Sequence, residues 1–174
     1  MTVSAGELLD SEALWRFSLA FYARPGVSEA LIALQDRVGC DINLMLFALW
    51  LGVSGRSRLT KGELAIADRV ARPIGADIVE PLRALRRKLS CDPDADVQRL
   101  REGIKALELA AEKVIQDRLG RAARPAFGDT DPATRAATAY ANLALYLGPE
   151  MTCSAEATTI GEALEVFQIG RAHV

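Results

Sequence analysis

The chain has 174 residues, half of them hydrophobic and a quarter charged, a globular composition that excludes intrinsic disorder. A formal net charge of −2 gives no support to nucleic-acid binding, which usually shows a basic balance. The longest apolar stretch, Leu44 to Val53, has half the roughly 20 residues of a membrane span, so it predicts a buried helix and no membrane association.

Met1 to Glu7 carries no cationic segment ahead of an apolar run, so it does not read as a secretory signal. Asp10 or Ser11 is the expected cap of a first helix through about Ala23, ended by Pro25-Gly26. Ser28 is the expected cap of a second, with Leu31, Leu34 and Val38 as its stripe and Gly39 as its stop. Asp41 suits the N-cap of a third, Ile42 to Leu51, apolar on every side except Asn43 and therefore buried all round, with Gly52 ending it. Thr60 and Glu63 form a capping box for a fourth helix to about Arg72, where Pro73 is expected to break the chain. Pro81 fits the first turn of a fifth, with Leu82, Leu85 and Leu89 on its apolar face and Arg83, Arg86 and Arg87 on the other, Lys88 beside them.

After Asp92-Pro93-Asp94 the texture changes. Val97, Leu100, Ile104, Leu107, Ala111 and Val114 come at alternating steps of three and four, a heptad seam interrupted by Gly103. Asp131-Pro132 opens a further helix with Ala136, Tyr140, Leu143 and Leu147 on one side and alanines that permit close packing. These two are expected to pair as an antiparallel hairpin, and a last helix is expected to begin near Thr159. Residues 169–174 resemble a translated sequencing-adapter tail. The expectation is that the natural chain continues past Gln168, and no chemistry is built on His173, the sole histidine. The fold class is thus all-α: a compact multi-helix bundle over residues 1–90, with a C-terminal heptad-patterned helical hairpin over 91–168 packed on it or extending from it.

Three groups of residues carry chemical potential. Gln35, Asp36, Asp41 and Asn43 bracket Gly39 beside the most apolar segment, where a buried amide or carboxylate must find hydrogen bonds. They serve either as caps and core braces or as a small polar pocket for a ligand. The stripe Arg83, Arg86, Arg87 is either a solvated face or a surface for an acidic protein partner, since arginine favours forked contacts with carboxylates. It lacks the interleaved aromatics that single-stranded nucleic acid would use, so RNA ranks last. Trp15, Tyr22, Phe47 and Trp50 are spaced for core packing or for a ligand cage. Cys40, Cys91 and Cys153 lie far apart without metal-ligand spacing and read as reduced thiols of a cytoplasmic protein. No metal or cofactor motif is present. Without a GxSxG, a CxxC or a histidine base, the usual catalytic triads have no support, and the sequence leans away from an enzyme.

Tyr22-Ala23-Arg24-Pro25-Gly26-Val27, Leu34-Gln35-Asp36, Gly39-Cys40-Asp41-Ile42-Asn43-Leu44, Leu46-Phe47-Ala48-Leu49-Trp50-Leu51-Gly52 and Pro81-Leu82-Arg83-Ala84-Leu85-Arg86-Arg87 together form a long spaced signature. It resembles the proteobacterial DUF2390 (TIGR02444) family over roughly Ser11 to Leu89. The resemblance implies short cytoplasmic proteins with a variable C-terminal region. It brings no reaction, so it carries no catalytic residue over. The family pattern often has a tryptophan before Pro-Leu-Arg, whereas this chain reads Arg72-Pro73-Ile74-Gly75.

Two functions fit these residues, with RNA binding through the basic helix face as a weaker third. The first is a non-enzymatic protein-interaction or regulatory module using Arg83, Arg86, Arg87 and the heptad seam, which also suits a homo-oligomer. The alternative is a small-molecule binder or enzyme with a pocket between the second and third helices, drawing on Tyr22, Gln35, Asp36, Asp41, Asn43 and Trp50.

Overall fold

Every residue from Asn43 to Val53 is buried, which makes helix α3 (Ile42–Val53) the axis of the protein. A computed structural model describes residues 5–56, 58–124 and 131–169. Among these the elements are α1 (Ala5–Tyr22), α2 (Val27–Val38), α3, α4 (Lys61–Ile74), a π-turn (Gly75–Val79), α5 (Glu80–Lys88), α6 (Ala95–Ala122), α7 (Pro132–Leu147), α8 (Pro149–Thr152) and α9 (Ala155–Ile169). The described residues contain no strand, and the fold is an all-α bundle. Helix α3 packs most extensively on α7 and also touches α1, α2, α4 and α6. Helix α6 lies along α1, α4 and α5, and α9 closes the far side against α2 and α7. No helix among the described residues is long and apolar enough to cross a membrane.

Local chemistry accounts for most boundaries. Asp41 caps α3, its Oδ1 accepting from Asn43 N at 2.7 Å and Leu44 N at 3.4 Å. The Thr60–Glu63 capping box is complete. Gly39 ends α2 in the left-handed conformation, φ +71°. Asp94 and Asp131 cap α6 and α7 through their carboxylates. The first helix begins at Ala5, ahead of the Asp10–Ser11 cap expected from sequence. Gly26, not Ser28, is the N-cap of α2, while the Ser28 hydroxyl turns to Glu29. Helix α9 starts at Ala155, a turn before Thr159, and residues 170–174 of the adapter-like tail lie outside the described residues.

Four expectations are corrected by tertiary packing. Gly52 does not stop α3. It lies within the helix where α7 crosses, and an added Cβ would overlap the backbone N and Cα of Ala139. Pro73 does not break the chain, because α4, the π-turn and α5 run on as one helical rod. The wide turn absorbs the defect: Glu80 N–H reaches back five residues to Gly75 O, between the two prolines whose missing donors an α-helix would leave as gaps. One extra residue per turn also rotates α5 about the rod axis by about 100°. Leu85 is thereby left exposed, while Arg83 and Arg86 point at α6.

The heptad seam and the α6–α7 hairpin fail together. Helices α6 and α7 do not pack along one another; each packs on α3 instead. The inward residues of α6 are Glu108, Ile115, Gln116 and Leu119, and the seam residues Leu100, Leu107 and Val114 are 58%, 60% and 42% exposed. A register of leucines cannot say which side of a helix meets the core when the other side carries a buried carboxylate with two half-buried arginine partners.

Candidate functional site

Positions 15, 18, 19 and 22 of α1 share one face, and so do 105, 108, 109, 112 and 116 of α6. These two faces, with Ile32 and Gln35 of α2, Ile42, Asn43 and Leu46 of α3, and the three arginines of α5, enclose a cleft of about 440 Å³. That volume lies within the range of small-molecule sites. A second, more polar cleft of about 630 Å³ adjoins it and holds Asp36, Asp41, Tyr146, Asp68 and Arg72. Gln35, Asn43, Arg83 and Arg87 line both. The fold therefore brings Tyr22, Gln35, Asp36, Asp41 and Asn43 together with Arg83, Arg86 and Arg87, two groups that the sequence keeps apart. Trp50 does not join them. It is buried against Phe47, ring centroids 6.2 Å apart, under the Arg56 guanidinium, 4.2 Å from its centroid.

The wall between α5 and α6 is an ion network. Arg83 Nε donates to Glu108 Oε1 at 2.9 Å and its Nη2 to Glu112 Oε1 at 2.9 Å. Arg86 grips Glu108 with both Nε (2.6 Å) and Nη2 (3.2 Å). Such forked, charge-assisted contacts fix guanidinium planes firmly. Burial disfavours the charge on Glu108, yet the hydrogen bonds from Arg86 and Arg83 outweigh it and hold its carboxyl below the usual range. Glu112 goes the other way: burial pushes its carboxyl up, with Glu108's charge adding to the effect against Arg83. Burial also raises the Tyr22 phenol, helped by Glu112. Arg87 stands apart, exposed and bonded to Asp36 at 3.1 Å.

A hydrogen-bonded chain forms the floor. The Asp41 backbone N–H donates to the Tyr146 hydroxyl at 2.8 Å, and burial drives that phenol far above its ordinary pKa. The Asp41 carboxyl is raised by burial, against the donors of Asn43 and Leu44. Asn43 Oδ1 accepts from Gln116 Nε2 at 3.0 Å. The chain ends there: Gln116 Oε1 and Ser18 Oγ, on residues 3% and 4% exposed, have no partner. Among the described residues Arg101 Nε is the one further buried side-chain polar atom in that condition. No group of three His, Cys, Asp or Glu side chains among the described residues could hold a metal ion.

Ser18, Glu108, Glu112 and Gln116 carry no sequence signal as site residues. Each sits in a helical run of mixed polarity, and nothing local shows that it faces inward.

Residues 13–119 match the model of the family described as "Protein of unknown function (DUF2390)". The chain belongs to this family. All the residues that line the 440 Å³ cleft, from Trp15 to Gln116, fall inside the DUF2390 segment, whereas Tyr146 of the adjoining cleft falls outside it. The match runs thirty residues past Leu89, so most of α6 is part of the DUF2390 unit and not of a variable tail. No curated protein and no solved structure matches the chain.

Proposed function

We propose that this DUF2390 protein binds a small molecule in the cleft enclosed by α1, α2, α3, α5 and α6. The observation that carries the reading is the pair Ser18 Oγ and Gln116 Oε1, buried and without hydrogen-bond partners in the cleft lining. An unmet buried polar group costs about 1–3 kcal/mol, which a bound ligand would recover. The arginines of the partner-surface reading support the cleft instead, since Arg83 and Arg86 are committed to Glu108 and Glu112.

The test is to purify the protein gently, denature it and identify released small molecules by mass spectrometry. Ala23→Trp, which fills the exposed mouth without touching the core, runs alongside. The expected result is a stoichiometric small molecule in the wild type, absent from Ala23→Trp at unchanged melting temperature. An empty wild type, with a melt unmoved by concentrated small-molecule extract of bacterial cells, overturns the reading.

A second reading rests on the outward face of α6. Asp96, Leu100, Leu107, Val114 and Arg118 fall within an arc of about 40° at 100° per residue. Leu107 lies midway between Leu100 and Val114, and midway between Asp96 and Arg118. Two copies crossing antiparallel at Leu107 would set Leu107 against Leu107, each Leu100 against the other copy's Val114, and each Asp96, which within its own chain pairs with Arg99, against the other copy's Arg118. We infer self-association through this stripe. Sedimentation is expected to show a dimer that Leu107→Glu converts to a folded monomer. A wild-type monomer at high micromolar concentration sinks the idea.

A further inference from the structure

We infer that the cleft selects an amphipathic organic anion: an acidic head at the Lys105–Arg86 end, an apolar body along Trp15, Leu19 and Leu109, and a hydrogen-bond donor at Gln116. The inference rests on the ligand-binding proposal and adds the class of ligand.

The charge of the lining sets the head. Four cations, Arg83, Arg86, Arg87 and Lys105, meet two carboxylates, Glu108 and Glu112. Both carboxylates are already held by Arg83 and Arg86, so the excess is positive. Lys105 and Arg87 are the accessible cations. Among the described residues Lys105 has one ion pair, with Glu102 at 3.8 Å, and the Arg87 side chain has one, with Asp36. Arginines locked by Glu108 are preorganised, so their remaining N–H groups offer an anion donors without further ordering cost.

The lip sets the body. Leu19, Ile32 and Leu109 are 52%, 41% and 49% exposed, and all three ring the same mouth beside Trp15. Single exposed apolar residues are ordinary, but a contiguous set around one opening marks a binding surface. The cation–π contact of Lys113 on the Trp15 ring, 5.9 Å from its centroid, helps hold that ring in place.

The floor sets the far end. Gln116 Nε2 donates to Asn43 Oδ1 at 3.0 Å. Its Oε1, which can only accept, is left as the unmet group. A ligand O–H or N–H satisfies it; a methyl or a second carboxylate does not. The rise of α6 puts about 16 Å between Lys105 and Gln116, so head and donor belong at opposite ends of an extended molecule.

Calorimetric titration of the full chain with ω-hydroxydodecanoate, dodecanoate and dodecanediol, each below its micelle threshold, tests this. The hydroxy acid is expected to bind tightest. Loss of the hydroxyl or of the carboxylate should each weaken binding about tenfold or more, because a buried partner goes unmet or an anion is lost. Gln116→Met should bring the hydroxy acid down to dodecanoate and leave dodecanoate unchanged. Arg87→Glu with Lys105→Glu should weaken both acids and spare the diol. The three-probe comparison on the unmodified chain stands even if Gln116→Met fails to fold. Equal affinity for all three probes overturns the inference, since the cleft would then read apolar surface alone. If no acid binds while the neutral dye Nile red still enters and is expelled by Ala23→Trp, the ligand class is wrong and the cleft reading survives. If Nile red also fails to bind, the cleft reading falls with it.

Discussion

Glu108→Ala is expected to destabilise the protein by about 3 kcal/mol or more in urea unfolding, among the largest effects available from a single polar side chain here. Glu108 is the carboxylate that ties α5 to α6. It accepts from both Arg83 and Arg86, and the three side chains are only 8%, 16% and 24% exposed. Truncation leaves two guanidinium groups facing each other without their shared counter-charge. The attraction between such groups is costly to break but was partly spent on dehydrating them, so replacing the whole cluster should behave differently. The fourfold change Arg83→Met, Arg86→Met, Glu108→Leu, Glu112→Leu, which removes Arg83's second partner as well, is expected to be near neutral. If the single and fourfold variants lose the same amount, the network is no more than packing volume.

The same cluster predicts a pH signature. Glu108 is held below the usual carboxylate range, so its contribution is complete above the unfolded glutamate pKa and is lost as pH falls through the folded value. Glu112 and Asp41 are held above that range, so each favours the fold in acid and its contribution declines as pH rises through the folded value. These opposing contributions flatten the wild-type profile. Subtracting Glu108→Gln from wild type reports Glu108 together with its smaller effect on Glu112, and the difference should shrink on acidification. A difference constant from neutral to acid pH contradicts the assignment.

What was legible in the sequence depends on what each signal reports. Caps are local chemistry, so Asp41, Thr60–Glu63 and Asp131 read correctly from spacing, although Ser28 did not. The burial of α3 read correctly because a helix with no polar side has no other solution. The polar cluster around Gly39 was visible for the same reason. The arginines of α5 were visible as a stripe but not as part of the site. Their direction depends on the π-turn, which adds a residue to one turn and has no distinct sequence mark beyond two prolines eight apart. The inward side of α6 was hidden by its leucines: hydrophobic periodicity points Leu100 and Leu107 at a core, whereas the bidentate pairing of Glu108 wins the buried position. Ser18 and Gln116 were invisible, because an unmet hydrogen bond is a property of the assembled fold.

Two glycines inside helices should respond to alanine with opposite sign, and the pair tests the packing of α3 on α7. Alanine has the better helix propensity by about 1 kcal/mol. At Gly103, on the open side of α6, an added Cβ meets nothing within 4 Å, so Gly103→Ala is expected to stabilise by about that amount. At Gly52 the same gain is overwhelmed. The new Cβ would overlap Ala139 N and Cα and lie 2.6 Å from its Cβ. Helix α7 cannot simply back away there. Asn142 Nδ2 donates to Ala48 O at 3.2 Å, and its Oδ1 receives Leu59 N at 2.8 Å, which pins α7 to α3 one turn along. Overpacking of a core side chain typically costs about 1–3 kcal/mol by repacking rotamers. A clash with backbone has no rotamer to move, so Gly52→Ala is expected to cost about 3 kcal/mol or more, or to prevent folding. Adding Ala139→Gly removes the 2.6 Å contact but not the overlap with N and Cα, so it should restore little. Full rescue by Ala139→Gly, or a gain in stability from Gly52→Ala alone, would mean that α3 and α7 cross farther apart than this fold requires.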